Sequence, residues 1–296
     1  VSSKVIEANI EKLYKMMDKC EICPRKCGVN RNKGQVGLCR TGNKILVSSC
    51  NVHMGEEPPI TGEKGSGTIF FANCTLKCVF CQNYPISQLG NGKEVSIEEL
   101  AYIMLGLQKK GVHNINFVTP THYSAEVAKS VYLARKKGLQ IPIVFNCSGY
   151  ERVEVLKLLE DTIDIYLPDI KYADSETAFK YSGIKDYVEV NCAALKEMAR
   201  QKGILKINED GIAEKGVLIR HMVLPGNVEN TKKSLDFIAR ELSKETFLSL
   251  MAQYHPAHKS SEFKELSGNL TIEEYEEAYN HLESLNLENG WQQELE

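Results

Sequence analysis

The chain has 296 residues, a formal net charge of −3 and a pI near 6.2. That length can bury a large core in one big domain or two ordinary ones. The near balance of charge gives no electrostatic case for nucleic acid or an anionic membrane as the main partner. No run approaches the ~20 apolar residues that span a bilayer. The opening VSSKVIEANIEKLYKMMDKC is charged and helical in pattern, without the apolar core or cleavage site of a signal peptide, so a cytoplasmic protein is expected.

Residues 1–63 read as one helix followed by CEICPRKCGVNRNKGQVGLCRTG, a stretch with little periodicity and few apolar residues. A metal, or docking onto the rest of the chain, must order it. Cys20, Cys23, Cys27 and Cys39 are spaced C-x2-C-x3-C-x11-C, and in a reducing cytosol such clusters more often bind metal than form disulfides. Four sulfurs suit a tetrahedral zinc or a complete iron–sulfur cluster. The spacing does not choose between them, and four free thiols are the remaining alternative. Arg25, Lys26, Arg31 and Lys33 would offset thiolate charge. The loop GEEPPITGEKGSG has linker composition, which places a boundary at 63/64.

From residue 67 onward, short apolar runs alternate with helical patterns. The expected strands are TIFF (68–71), INFV (115–118), IPIVF (141–145), IDIYL (163–167), GVLIRHMVL (216–224) and FLSLMAQ (247–253). Between them, SIEELAYIMLGLQKKG opens with a Ser N-cap and a Glu three residues on, and closes with Gly111. SAEVAKSVYLARKKG, ERVEVLKLLEDT, VENTKKSLDFIARELS and TIEEYEEAYNHLESL follow the same logic. Strands alternating with helices imply right-handed crossovers and a parallel sheet. Periodicity alone does not separate an open sheet from a part-barrel. Residues 64–256 are thus the expected α/β domain, and 257–296 a helical extension.

Directly after the first of these strands stands CTLKCVFC, with Cys74, Cys78 and Cys81 spaced C-x3-C-x2-C. Clusters are normally held by four thiolates. Three leave one iron open, and an open position distinguishes a metal that reacts from one that only staples a fold. The structural alternative completes the set with a distant cysteine, Cys50 or Cys147. Scattered cysteines such as Cys192 are ordinarily small buried hydrophobes.

The motif with its aromatic Phe80, after the first strand of a repeating β/α chain, resembles the radical S-adenosylmethionine superfamily over roughly residues 64 to 255. The resemblance implies a partial (β/α)6 barrel with a cysteine-rich N-terminal extension. It also implies a [4Fe-4S] cluster on the three cysteines, S-adenosylmethionine as the fourth ligand, and a 5′-deoxyadenosyl radical that abstracts hydrogen from a substrate. A reduced flavodoxin or ferredoxin-type protein would donate the electron. The stretches ANCTLKCVFCQNYPIS, DIYLPDIKY, RHMVLPGN, MAQYHP and CEICPRKCGVNR are similar to the pyruvate formate-lyase-activating enzyme-like group, in its PflX-like branch with an N-terminal four-cysteine segment. A glycyl residue of a protein, a peptide and a small molecule all stay open as substrate.

The resemblance also assigns residues at the strand ends. Where the family has Gly-Gly-Glu, this chain has VTPTHY, so Thr119 and Thr121 would meet the cofactor's amino group without a carboxylate. That departure leaves transfer of an aminocarboxypropyl group as a minor alternative. Asn146 and Ser148 follow the third strand, although Ser148 could equally cap the next helix. Asp169 and Lys171 follow the fourth, with the lysine reaching the cofactor carboxylate. Arg220 and His221 interrupt the fifth, where a buried charge must be paired; the resemblance selects Arg220 as the cofactor contact. His255 closes the sixth. Two other classes remain, a zinc-binding interaction protein and a cluster-bearing electron-transfer protein.

Overall fold

The structure, a computed structural model, describes residues 2–293. In chain order its strands are β1 (Ile45–His53), β2 (Ser66–Phe71), β3 (Lys93–Val95), β4 (Ile115–Val118), β5 (Ile143–Cys147), β6 (Ile165–Pro168), β7 (Lys206–Ile207), β8 (Ala213–Met222), β9 (Phe247–Met251) and β10 (Gly290–Gln292). The helices are α1 (Ser3–Lys15), α2 (Pro58–Thr61), α3 (Tyr84–Ser87), α4 (Ile97–Lys109), α5 (Ser124–Lys136), α6 (Val153–Leu159), α7 (Ser175–Ser182), α8 (Tyr187–Lys202), α9 (Val228–Phe237) and α10 (Ile272–Ser284).

One sheet runs β10-β9-β8-β6-β5-β4-β2-β1-β3, with β7 paired to β8 beside that path. The six expected strands form its parallel centre. The sheet stays open, its ends being β3 and β10, and the fold is a mixed α/β part-barrel. Residues 143–147 are buried throughout, as in strands covered on both faces. The outer face of the sheet packs on the helices in the main core, which includes Ile115, Phe117, Leu156, Ala194 and Leu235.

Local chemistry fixes several element ends. Ser96 and Thr271 both close capping boxes, with Glu99 and Glu274. Ser124 does not cap α5; it is the helix's first residue, and its hydroxyl donates to the Thr121 carbonyl. Among the described residues no helix is long and apolar enough to cross a membrane.

The segment ahead of residue 64 enters this frame rather than standing apart from it. β1 pairs antiparallel with β2, and β3 with β1. α1 packs against α5 and α6, and Ile10, Leu13, Met17 and Ile22 share the main core. Arg31, 1% exposed, reaches the carbonyls of Gly42 (2.9 Å) and His122 (2.6 Å) and the carboxylate of Glu126 (3.1 Å). At the other end, β10 extends the sheet beside β9 and α10 packs on α9.

The stretch with linker composition is not a linker. It forms α2, whose Ile60 is fully buried with Val144, Ile165, Leu167 and Leu218 in a second core on the inner face of the sheet. Asn114 ties it down by donating to the Ile60 carbonyl (2.7 Å). Residues 56–61 therefore plug the hollow of the part-barrel.

Candidate active site

Above the plug lies a cavity of about 400 Å³ at the carboxyl ends of the parallel strands, within the size range of small-molecule sites. Cys74, Cys78, Phe80 and Cys81 border one side; Thr119, Asn146, Ser148, Asp169, Lys171 and Arg220 border another, and His53, Gly55 and Glu56 also line it. These positions follow from topology: each strand end delivers its next residues to the same mouth.

The cysteine loop is held on both flanks. Val79 donates its N–H to the Tyr181 carbonyl (2.8 Å). Arg25 donates to the Thr75 carbonyl (3.1 Å), and Arg40 reaches Asn73 (3.4 Å) and the Gln88 carbonyl. Phe80 packs between Tyr181 and Tyr254, with ring centroids 6.4 and 6.3 Å away. Each thiol has a polar neighbour: Leu76 N–H donates to Cys74 Sγ (3.3 Å), the Ser182 hydroxyl donates to Cys78 Sγ (3.0 Å), and Ser87 Oγ lies 3.0 Å from Cys81 Sγ. Burial pushes the Cys74 thiol up to about 12 and raises Cys78 as well. A bound cationic centre is what would make thiolates of them at neutral pH. Among the described residues no group of three or more His, Cys, Asp or Glu is arranged to hold a metal ion as it stands. The three thiols border a cavity instead, and donors directed at sulfur suit a cluster with its outer hydrogen bonds.

Across the cavity lies a charged network. Arg220 donates Nε to Asp169 Oδ1 (3.0 Å) and Nη2 to Asn146 Oδ1 (2.7 Å), while Nη1 lies 3.5 Å from Glu56 Oε2. Lys171 Nζ donates to Asp169 Oδ2 (2.6 Å). Burial pushes the Asp169 carboxyl up, but Lys171 and then Arg220 outweigh it and hold it below its ordinary value. Glu56 goes the other way: burial raises it to about 7 against the pull of Arg220, with Glu57 adding to the rise. Glu57 Oε2 and both side-chain polar atoms of Asn116 are buried without a hydrogen-bond partner. His221, next to Arg220, is also buried; its Nδ1–H donates to Ile170 O (2.6 Å) and its Nε2 lies 2.9 Å from Thr231 Oγ1. Of the two residues interrupting β8, only Arg220 lines the cavity.

Thr119 borders the cavity with φ of +59°, a conformation rare for a β-branched residue and a local strain of about 1–3 kcal/mol. Thr121 is not brought to the cavity. It is 1% exposed and donates to Glu151 Oε1 (2.5 Å). His255 is exposed beside Gln82 (3.1 Å) rather than lining the cavity. Ser148 lines the cavity, and α6 starts at Val153 with Arg152 at its N-cap position, so Ser148 caps no helix. Glu56 was hidden by the linker-like composition around it, and only the plug reveals it.

Glu151 yields a pH prediction. Full burial raises it to about 8, against the lowering effect of Thr121 and Cys147. The folded state then keeps a proton that the unfolded chain loses above its ordinary 4.5, so this group's contribution to stability declines as pH rises from 4.5 through 8. Glu151→Gln should remove that decline. Urea unfolding should find the variant about 4 kcal/mol more stable than the native chain at pH 8, with the advantage below about 1 kcal/mol at pH 5. Equal curves at pH 8 would contradict the burial argument.

The N-terminal cysteines are neighbours. Cys20 lies near Cys27 and Cys39, and Cys23 near Cys39 and Cys20; burial raises Cys20 and pushes Cys23 up to about 12. Lys77, in the cysteine loop after β2, lies within electrostatic reach of both Cys74 and Cys39.

A part-barrel with three cysteines and a charged strand-end network around one cavity defines a class, and sequence comparison identifies it. A profile of the Radical SAM superfamily matches residues 68–238; the chain belongs to that superfamily. Membership implies an enzyme using a [4Fe-4S] cluster and S-adenosylmethionine, with a reductant of the flavodoxin or ferredoxin kind. Two uncharacterized proteins of Methanocaldococcus jannaschii are similar along nearly the whole chain. One is 31% identical over 97% of this chain and 81% of its own length. The other is 25% identical over 89% and 80%. Among solved structures, Streptococcus suis SuiB bound to precursor peptide SuiA superposes with a TM-score of 0.53 at 14% identity, covering 75% of this chain and 47% of SuiB. The chain thus spans about half of that protein. Methylornithine synthase (PylB) gives 0.50 at 13% identity, covering 97% and 70%. Both likenesses are of fold.

Proposed function

We propose that the cavity is a radical S-adenosylmethionine active site in which Cys74, Cys78 and Cys81 ligate a [4Fe-4S] cluster and leave its fourth iron to the cofactor. The observation that carries this reading is the convergence of the three thiols and the Asp169–Lys171–Arg220–Asn146 network on one cavity. When bound, the reduced cluster and S-adenosylmethionine supply a 5′-deoxyadenosyl radical that takes hydrogen from the substrate.

The chain's own residues bind and orient. Lys171, fixed by Asp169, is the cation for the cofactor carboxylate. Arg220 has all three nitrogens engaged by protein groups, so it holds Asp169, Asn146 and Glu56 in place. Asn146, Ser148 and Thr119 offer polar atoms to the cofactor's ribose and amino group. The plug carrying Ile60 keeps water from entering from below. The substrate is a protein glycyl residue, a peptide or a small molecule. Similarity of the motif stretches to activating enzymes favours a glycyl-radical-type protein among these. Cys20, Cys23, Cys27 and Cys39, drawn together beside the same loop, are read as ligands of a zinc ion or a second cluster, which metal analysis would distinguish.

Anaerobic reconstitution followed by dithionite and S-adenosylmethionine should give 5′-deoxyadenosine. Cys78→Ala should lose the product to background and bleach most of the iron–sulfur absorbance. A variant retaining both would refute the ligand assignment.

A further inference from the structure

Tyr172, Ser182 and Cys78 form a buried chain of polar atoms that cofactor binding leaves unexplained. The Ser182 hydroxyl donates to Cys78 Sγ at 3.0 Å, and the Tyr172 hydroxyl lies 2.6 Å from Ser182 Oγ. Ser182 is 0% and Tyr172 1% exposed, in an apolar cluster with Phe80, Tyr181 and Tyr187. Two hydroxyls in such surroundings cost stability unless each is hydrogen-bonded. A serine in the last turn of a helix commonly turns its hydroxyl back to a carbonyl one turn earlier. Ser182 ends α7 and points its proton out of the helix instead. With that proton on sulfur, its oxygen accepts from Tyr172, and each O–H polarises the next.

The other two cysteines of the motif lack the buried tyrosine. Cys74 receives a backbone N–H, and at Cys81 the Ser87 hydroxyl, 3.0 Å from sulfur, accepts from the half-buried amide of Gln88 (3.2 Å). Hydrogen bonds to cluster sulfurs are among the factors that set reduction potential. The positive end of an O–H dipole favours the state with more negative charge, which is the reduced one.

We propose that Ser182, polarised by Tyr172, is a positioning residue that raises the reduction potential of the cluster held through Cys78 and so eases its one-electron reduction. This rests on the active-site reading above. No proton is transferred: the external donor gives up one electron, the cluster gains it, and the relay answers only by orientation.

The test is a redox titration of the anaerobically reconstituted full chain, followed by electron paramagnetic resonance, with iron and sulfide content measured in each sample. Ser182→Ala should shift the midpoint to a more negative value, and Tyr172→Phe should shift it the same way by less. A structural role alone would alter loading or unfolding and leave the midpoint where it is. Fully loaded variants with the native midpoint would overturn the relay while leaving the active-site reading intact. If Ser182→Ala fails to load, Tyr172→Phe, which keeps the helix end and the serine, decides by itself. A native chain that takes up no cluster would overturn the reading and the relay together.

Discussion

Arg220→Met is expected to cost the folded chain about 3–5 kcal/mol, the range for removing one partner of a buried ionic group, and more at pH 8 than at pH 5. Arg220 lies 3.0 Å from Asp169, 3.5 Å from Glu56 and 3.8 Å from Glu57. Methionine fills much of the space and leaves those carboxylates with Lys171 as their nearby cation, bonded to Asp169. Glu56 is already raised to about 7 with Arg220 lowering it, so losing Arg220 moves it higher. A raised folded pKa means stability that is present below the unfolded value of 4.5 and lost as pH rises through the folded value. At pH 5 Glu56 is protonated and the penalty shrinks. Urea unfolding at the two pH values measures this, and an equal loss at both would show that charge is not the cause.

The second large effect is expected from Arg31→Met, again about 3–5 kcal/mol. Arg31 is the buried pin that joins the cysteine-rich segment to α5: it binds two carbonyls and Glu126, whose Oε2 already lacks a partner. Removing the guanidinium leaves Glu126 buried and unpaired. Hydrogen exchange should speed up first across residues 20–42, before α4 or β4. Uniform acceleration along the chain would argue that the segment is not a separately pinned unit.

The parallel half of the fold was legible because its strands are continuous apolar runs, INFV and IPIVF among them, separated by capped amphipathic helices. The cysteine loop stood out by its spacing, and the resemblance pointed to the strand-end residues Thr119, Asn146, Asp169, Lys171 and Arg220, all of which line the cavity. What could not be read depends on long-range placement. β1 contains ILVSSCNVH, whose exposed middle carries no clear alternation, and it finds its pairing only against β2. The Gly- and Pro-rich run around Ile60 looks like linker because its one decisive contact is with strands far along the chain. Thr119 and Thr121 are two residues apart and offer the same hydroxyl; the positive φ at Thr119 helps separate their destinations, one at the cavity and the other in the outer core. Ser182 is an unremarkable helix-ending serine until α7 is laid against the cysteine loop.

The plug formed by residues 56–61 has a kinetic consequence. With Ile60 seated among the inner-face side chains and Glu56 lining the cavity, the floor on the plug side is closed. Anything that sits deep in it must load before anything that sits above, and leave after it. Cofactor and substrate would therefore bind in a compulsory order, and a spent fragment of the first would be trapped until the second departs.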